Sequence, residues 1–278
     1  MRRGQSELNG KLEASATLDS TAYVLLCRPE LVNDPTLLSR YEALLDEEER
    51  SRLARFRFKR DAHTFLVAHA LVRSALSHFD HVGPGEWRFR TNRFGRPEVC
   101  GPSGASKLQF NLSHRPSLIA CMVTVGTDFG VDVEQIRALS DLFSLAEHYF
   151  SPSEAAALRT LPHEMSGDRF FSLWTLKESY IKARGLGLSL PLDKFSFSFH
   201  GERIAVHFDP DLAENADDWT FTLMRPIASH FLATAVRGER GGTHRQLLVR
   251  WFVPLVGMGA PLPLRPIASS SATVPAIR

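Results

Sequence analysis

The chain has 278 residues, a formal net charge of +2, 44% hydrophobic and 23% charged residues. This is an ordinary globular composition, with enough length for a sizeable core in one large domain or two smaller ones. The near-neutral charge gives no ground for nucleic-acid binding, and no run of about eighteen apolar residues is present to span a membrane.

Residues 1–20 read as a disordered leader. Met1, Arg2 and Arg3 are basic, but the following stretch is polar and lacks the apolar centre of a signal peptide. Cys27, Cys100 and Cys121 show no C-x-x-C spacing, which argues against a zinc site or a disulfide framework and fits a reducing cytoplasm.

Ala22 to Cys27 reads as a short buried strand and Leu38 to Phe58 as one helix. In that helix the acidic run Asp46 to Glu49 gives way to Arg50, Arg52, Arg55, Arg57, Lys59 and Arg60. Such a run is either a solvated face or an anion site, since the next helix presents its N-terminus nearby. Asp61 suits the start of that helix, and Phe65, Ala68, Val72, Ala75, Leu76 and Phe79 recur at helical spacing. Glu86 to Arg90 alternates as a strand, and Asn92 to Pro97 is a turn in which Gly95 can take positive φ and Arg96 offers a fork of donors. Cys100 to Ser106 reads as a surface loop. Leu108, Phe110 and Leu112 line one strand face with Ser113 and His114 at its end, and Ser117 to Val125 forms a further apolar strand. A serine hydrolase is excluded, because no G-x-S-x-G elbow is present.

Gly126 to Asp128 is the expected seam, which divides the chain into a subdomain over 21–125, a second over 126–240, and a tail over 241–278. In Phe129-Gly130-Val131-Asp132-Val133-Glu134 apolar and acidic residues alternate, so Asp132 and Glu134 share one strand face. Side by side they repel, and a cation relieves them; oxygen-only ligands suit Mg²⁺. The plainer alternative is an acidic solvent face. Ser151-Pro152-Ser153-Glu154 is a capping box. Leu161 to Gly167 breaks the chain, and Asp168 opens a helix that Gly185 ends. Within it Glu178 and Lys182 stand one turn apart. Phe195, Phe197 and Phe199 alternate inward, and Ile204–Phe208, Trp219–Leu223 and Phe231–Val236 read as strands. Gln246 to Val256 allows one more strand before a flexible Pro- and Ser-rich end.

The acidic strand and the later Trp174-Thr175-Leu176-Lys177-Glu178-Ser179-Tyr180-Ile181-Lys182 together resemble the paired signature of the 4′-phosphopantetheinyl transferases, G-[IV]-D-[IVL]-E and W-[ST]-x-K-E-[AS]-x-x-K. Arg93-Phe94-Gly95-Arg96-Pro97 and Phe110-Asn111-Leu112-Ser113-His114 match two further motifs of that family in order. The likeness runs from about Leu44 to Val236 and is greatest to the larger, pseudo-dimeric, surfactin-synthetase-activating type, which serves secondary-metabolite synthases.

The resemblance implies an α+β fold of two similar subdomains related by a pseudo-twofold, with the active site in the cleft between them. It implies Mg²⁺ held by Asp132, Glu134 and Glu178. Coenzyme A is then contacted by Arg52, Arg60, Arg96, Pro97, Ser113, His114, Asp132 and Lys182, while Glu178 and Lys182 act in catalysis. The acceptor is a serine of an apo acyl, peptidyl or aryl carrier protein, and the enzyme is expected as a cytoplasmic monomer without nucleic-acid or membrane partners. The segment 136–165 is expected to face the carrier through Leu142, Phe143 and Tyr149. Two rivals remain at this stage: a non-catalytic module that binds coenzyme A or a carrier, and another Mg²⁺-dependent phosphoryl transferase. The second is disfavoured by the absence of G-x-x-x-x-G-K-[ST].

Overall fold

The computed structural model describes residues 18–103, 107–238, 245–262 and 264–271. In chain order the elements are β1 (Thr21–Cys27), α1 (Pro35–Leu44), α2 (Glu47–Ala54), α3 (Lys59–Phe79), β2 (Arg88–Thr91), β3 (Pro97–Gly101), β4 (Leu108–Arg115), β5 (Leu118–Val125) and β6 (Phe129–Gln135). They continue with α4 (Leu142–Tyr149), α5 (Pro152–Arg159), α6 (His163–Arg184), β7 (Phe195–His200), β8 (Arg203–Phe208), β9 (Trp219–Ile227), β10 (His230–Arg237), β11 (Gln246–Val253), β12 (Gly257–Pro261) and β13 (Ala268–Ser269). The fold is α+β and divides into two compact units, parted at Gly126–Thr127.

The first unit is a five-stranded sheet in the order β12-β11-β1-β5-β4, with α3 packed on β4 and β5. β1 runs antiparallel to β5 and parallel to β11, from Thr21 opposite Gln246 to Leu26 opposite Trp251. Phe65, Leu71, Leu76 and Phe79 of α3 meet Leu25, Phe110, Ile119 and Val123 of the sheet in one core. Each such side chain contributes about 1.5–3 kcal/mol when fully buried. Trp87 is fully buried and donates its indole N–H to Ser77 Oγ at 2.8 Å.

The second unit is a six-stranded sheet in the order β6-β10-β9-β13-β8-β7, with α6 packed on β6, β10 and β9. Phe170, Phe171, Leu176 and Tyr180 of α6 meet Phe195, Phe197, Phe221 and Ala233 in its core. The helix ends at Gly185, whose φ of 63° supplies the left-handed cap that the sequence predicts.

Several expectations are corrected. The single helix over 38–58 is two, because Asp46 and Glu49 form a reciprocal capping box that starts α2 afresh. The expected leader lies outside the described residues up to residue 17, but Leu18 is fully buried in the first core. The loop from Cys100 begins inside β3, and residues 104–106 lie outside the described residues. The central helix opens at His163 rather than Asp168, so Gly167 is helical.

The tail is the largest correction. β11 and β12 form a hairpin that extends the first sheet. Ala268 and Ser269, both buried, form β13, antiparallel to β9 and, through Ser269, parallel to β8. Proline content pointed to flexibility, but Ile267 N–H donates to Leu223 O and Ser270 N–H to Phe221 O, so main-chain bonds fix this segment. Residues 241–244, 263 and 272–278 of the expected tail lie outside the described residues.

Candidate active site

In the second unit the acidic strand lies under the central helix. A Cβ placed on Gly130 would stand 2.1 Å from Ser179 O and 2.5 Å from Ala183 N, so the strand face bearing residue 130 looks at α6. Residues two apart on a strand share a face, so Asp132 and Glu134 look the same way. Both are buried, at 3% and 2% exposure, and the reading of this strand as a solvent-facing acidic edge is excluded.

Lys182 Nζ meets Asp132 Oδ1 at 2.7 Å, the direct link between the two signature motifs. Glu178, half-buried, precedes Lys182 by one turn on the same side of α6. The donors gathered here are carboxylate oxygens, the type a hard divalent cation takes. Among the described residues no group of three His, Cys, Asp or Glu side chains is placed so that it could hold a metal ion. The expected convergence of Asp132, Glu134 and Glu178 on one ion is thus not shown as a ready-made cage.

Behind this face, α6 is anchored by a pair that sequence reasoning missed. Lys177 is fully buried; its Nζ donates to Leu192 O at 2.7 Å and Phe195 O at 2.5 Å and pairs with Glu154 Oε2 at 2.8 Å. Glu154 Oε1 accepts from Phe197 N–H at 2.8 Å, and its other oxygen serves the Ser151 capping box. Burial pulls the Lys177 ammonium down from its ordinary range, and the Glu154 charge and hydrogen bond oppose that. The visible signals were the capping box and a lysine inside the motif; neither said that they meet.

The predicted basic residues stand in the first unit. Arg52 is exposed on α2 with its guanidinium 5.3 Å from the Phe65 ring centre. Arg60, 72% exposed, is in the first turn of α3 beside Asp61 at 3.4 Å. Arg96, half-buried, lies in the 92–97 turn, where Arg96 N–H donates to Asn92 Oδ1 and Gly95 takes φ 84°; Pro97 is exposed at the start of β3. Ser113 and His114 lie at the end of β4, just before its final residue Arg115. The serine is buried and the histidine exposed, because neighbours on a strand face opposite ways. The expected carrier-facing residues differ too. Leu142 and Phe143 are partly buried against the second core, and Tyr149 is exposed with its ring edge-on to Trp174.

The chain is similar to known proteins along most of this length. The family model of the 4′-phosphopantetheinyl transferase superfamily matches residues 128–233, and that of the 4′-phosphopantetheinyl transferase N-terminal region matches residues 35–125. The 4′-phosphopantetheinyl transferase HetI of a Nostoc species is 33% identical over 215 residues, 77% of this chain and 88% of that protein. The 4′-phosphopantetheinyl transferase Sfp of Bacillus subtilis is 35% identical over 161 residues, 58% of this chain and 69% of that protein. With the acids of β6 under the lysine of α6 and these relatives at such coverage, the chain belongs to the 4′-phosphopantetheinyl transferase superfamily.

Proposed function

We propose that this transferase moves the 4′-phosphopantetheine arm of coenzyme A onto a serine hydroxyl of an apo carrier protein and releases adenosine 3′,5′-bisphosphate. The observation that carries the reading is the buried Asp132 and Glu134 on β6 beside Lys182 of α6, in a chain of this family. Carriers of polyketide, nonribosomal peptide or fatty acid synthases are the acceptors in this reading.

The phosphates of coenzyme A are held by Arg60, Arg96 and His114, with Arg52, Pro97 and Ser113 as further contacts. Asp132, Glu134 and Glu178 would hold Mg²⁺, which when bound neutralises charge on the phosphoryl group and the leaving phosphate. The carrier serine Oγ attacks the β-phosphorus of coenzyme A. A new O–P bond forms, the bond to the bridging oxygen breaks, and the bisphosphate departs with the electron pair. Glu178 takes the serine proton, directly or through a water, and Lys182 orients Asp132 and faces the phosphates.

The test incubates the protein with coenzyme A, Mg²⁺ and an apo carrier domain. The carrier gains the mass of one phosphopantetheine arm with wild-type protein, and Asp132→Ala and Glu178→Gln lose about 10²–10⁴ in rate. Binding of coenzyme A without any mass gain on the carrier identifies a non-catalytic module instead.

A further inference from the structure

Helix α2 buries no residue, and with eight residues it is too short to persist alone. Its hold on α3 is polar and aromatic. Glu49 Oε2 accepts from Arg73 Nη2 at 2.6 Å and from Asp46 N–H at 2.9 Å, and Glu49 Oε1 meets His69 Nδ1 at 2.7 Å. Arg73 is 2% exposed, stacked 4.8 Å from the Phe89 ring centre, so its charge requires a carboxylate at a fixed place. His69 in turn packs at a tilt on Phe65 with ring centres 4.0 Å apart, and the guanidinium of Arg52 lies over the same Phe65 ring. Phe56, just past the end of α2, packs on Phe65 as well, at 5.2 Å. The contacts run unbroken from Arg73 through Glu49, His69 and Phe65 to Arg52, which sits one turn after Glu49.

We propose that Glu49 is a positioning residue for coenzyme A recognition: with His69 and Arg73 it fixes α2 on α3 so that Arg52 is presented to a phosphate of the substrate. This rests on the assignment of Arg52 to the coenzyme A site. Glu49 touches no substrate itself. Arginine forks bind phosphate by geometry as much as by charge, so a displaced helix loses affinity even though the arginine remains.

The experiment measures the dissociation constant of coenzyme A by calorimetry, together with transfer kinetics, for Glu49→Ala, Glu49→Gln, Arg52→Ala and the double variant Glu49→Ala/Arg52→Ala. Glu49→Gln keeps the capping-box acceptor and guards against loss of folding. Arg52→Ala and Glu49→Ala are each expected to weaken coenzyme A about tenfold, with kcat and the KM for the carrier within twofold of wild type. The double variant is no weaker than Arg52→Ala, because Glu49 acts through the arginine. A merely structural Glu49 adds its own loss of affinity in the double variant, and that additivity overturns the proposal. Wild-type affinity in Glu49→Ala and Glu49→Gln beside a weakened Arg52→Ala also overturns it and leaves the Arg52 assignment standing. Wild-type affinity in Arg52→Ala removes that assignment, and the positioning role falls with it.

Discussion

Gly130 and Ser179 stand so close that no side chain fits between them: a Cβ on the glycine would lie 2.1 Å from the serine carbonyl oxygen. The glycine of the acidic motif is there to let α6 rest directly on β6. Everything that faces the helix from that strand, Asp132 and Glu134 included, inherits its distance from this contact.

Gly130→Ala is therefore expected to destabilise by at least ~2 kcal/mol, because both atoms in its way are main chain and the whole helix must shift. Gly167→Ala is the control. That glycine is helical with nothing within 4 Å of its Cβ, so the alanine is expected to stabilise by about 0.5–1 kcal/mol. Urea denaturation of both variants checks the opposite signs.

The Lys177–Glu154 pair predicts a different asymmetry. Lys177→Met leaves a buried carboxylate without its cation and is expected to cost about 3–5 kcal/mol. Adding Glu154→Gln removes the stranded charge and recovers part of that loss. A double-mutant cycle by chemical denaturation reads the coupling, and strict additivity would show that the two charges do not depend on each other.

Lys182 reaches Asp132 from a separate element of the fold. Lys182→Gln is expected to lower kcat/KM by about 10²-fold or more, with a change in melting temperature of only a few degrees, because the residue is partly exposed. Steady-state transfer to an apo carrier and a thermal scan separate the two effects.

Glu49 gives stability a pH dependence. Burial alone would raise its carboxyl, but hydrogen bonds from His69 and the Asp46 N–H, with the His69 and Arg73 charges, bring it down to about 2 from an ordinary 4.5. A depressed folded value means that stability is gained above the unfolded value and lost as pH falls through the folded one. The contribution, about 1–2 kcal/mol after allowance for solvent screening, is complete above about pH 5 and fades towards pH 2. The stability difference between wild type and Glu49→Gln should shrink over that window.

Much of the candidate site was legible because its signals are local. The alternation of Gly130, Asp132 and Glu134 fixes a common face, and the spacing of Glu178 and Lys182 fixes a common side of α6. Sequence reasoning gave Lys182 the task of holding Glu178, one turn back on the same helix; its contact with Asp132, fifty residues away in the chain, was not foreseen and is visible only in the fold. Glu49 with His69 and Arg73, and Glu154 with Lys177, were hidden because each pairs residues twenty or more apart with no shared periodicity. The break between α1 and α2 was open to reading, since Asp46 and Glu49 form a capping box, but the continuous charge run masked it. β13 was not readable at all, for two residues carry no pattern.

The partnering of β1 with β11 has a consequence for synthesis. β1 leaves the ribosome well before the strand that covers one of its edges, which is encoded more than two hundred residues later. Until that segment emerges, Ala22 to Cys27 presents an uncovered apolar edge, the kind of surface on which nascent chains stick to one another. A truncation that ends after β10 would retain every signature motif and most of the second sheet, and is still expected to leave an unfinished first sheet and collect in the insoluble fraction.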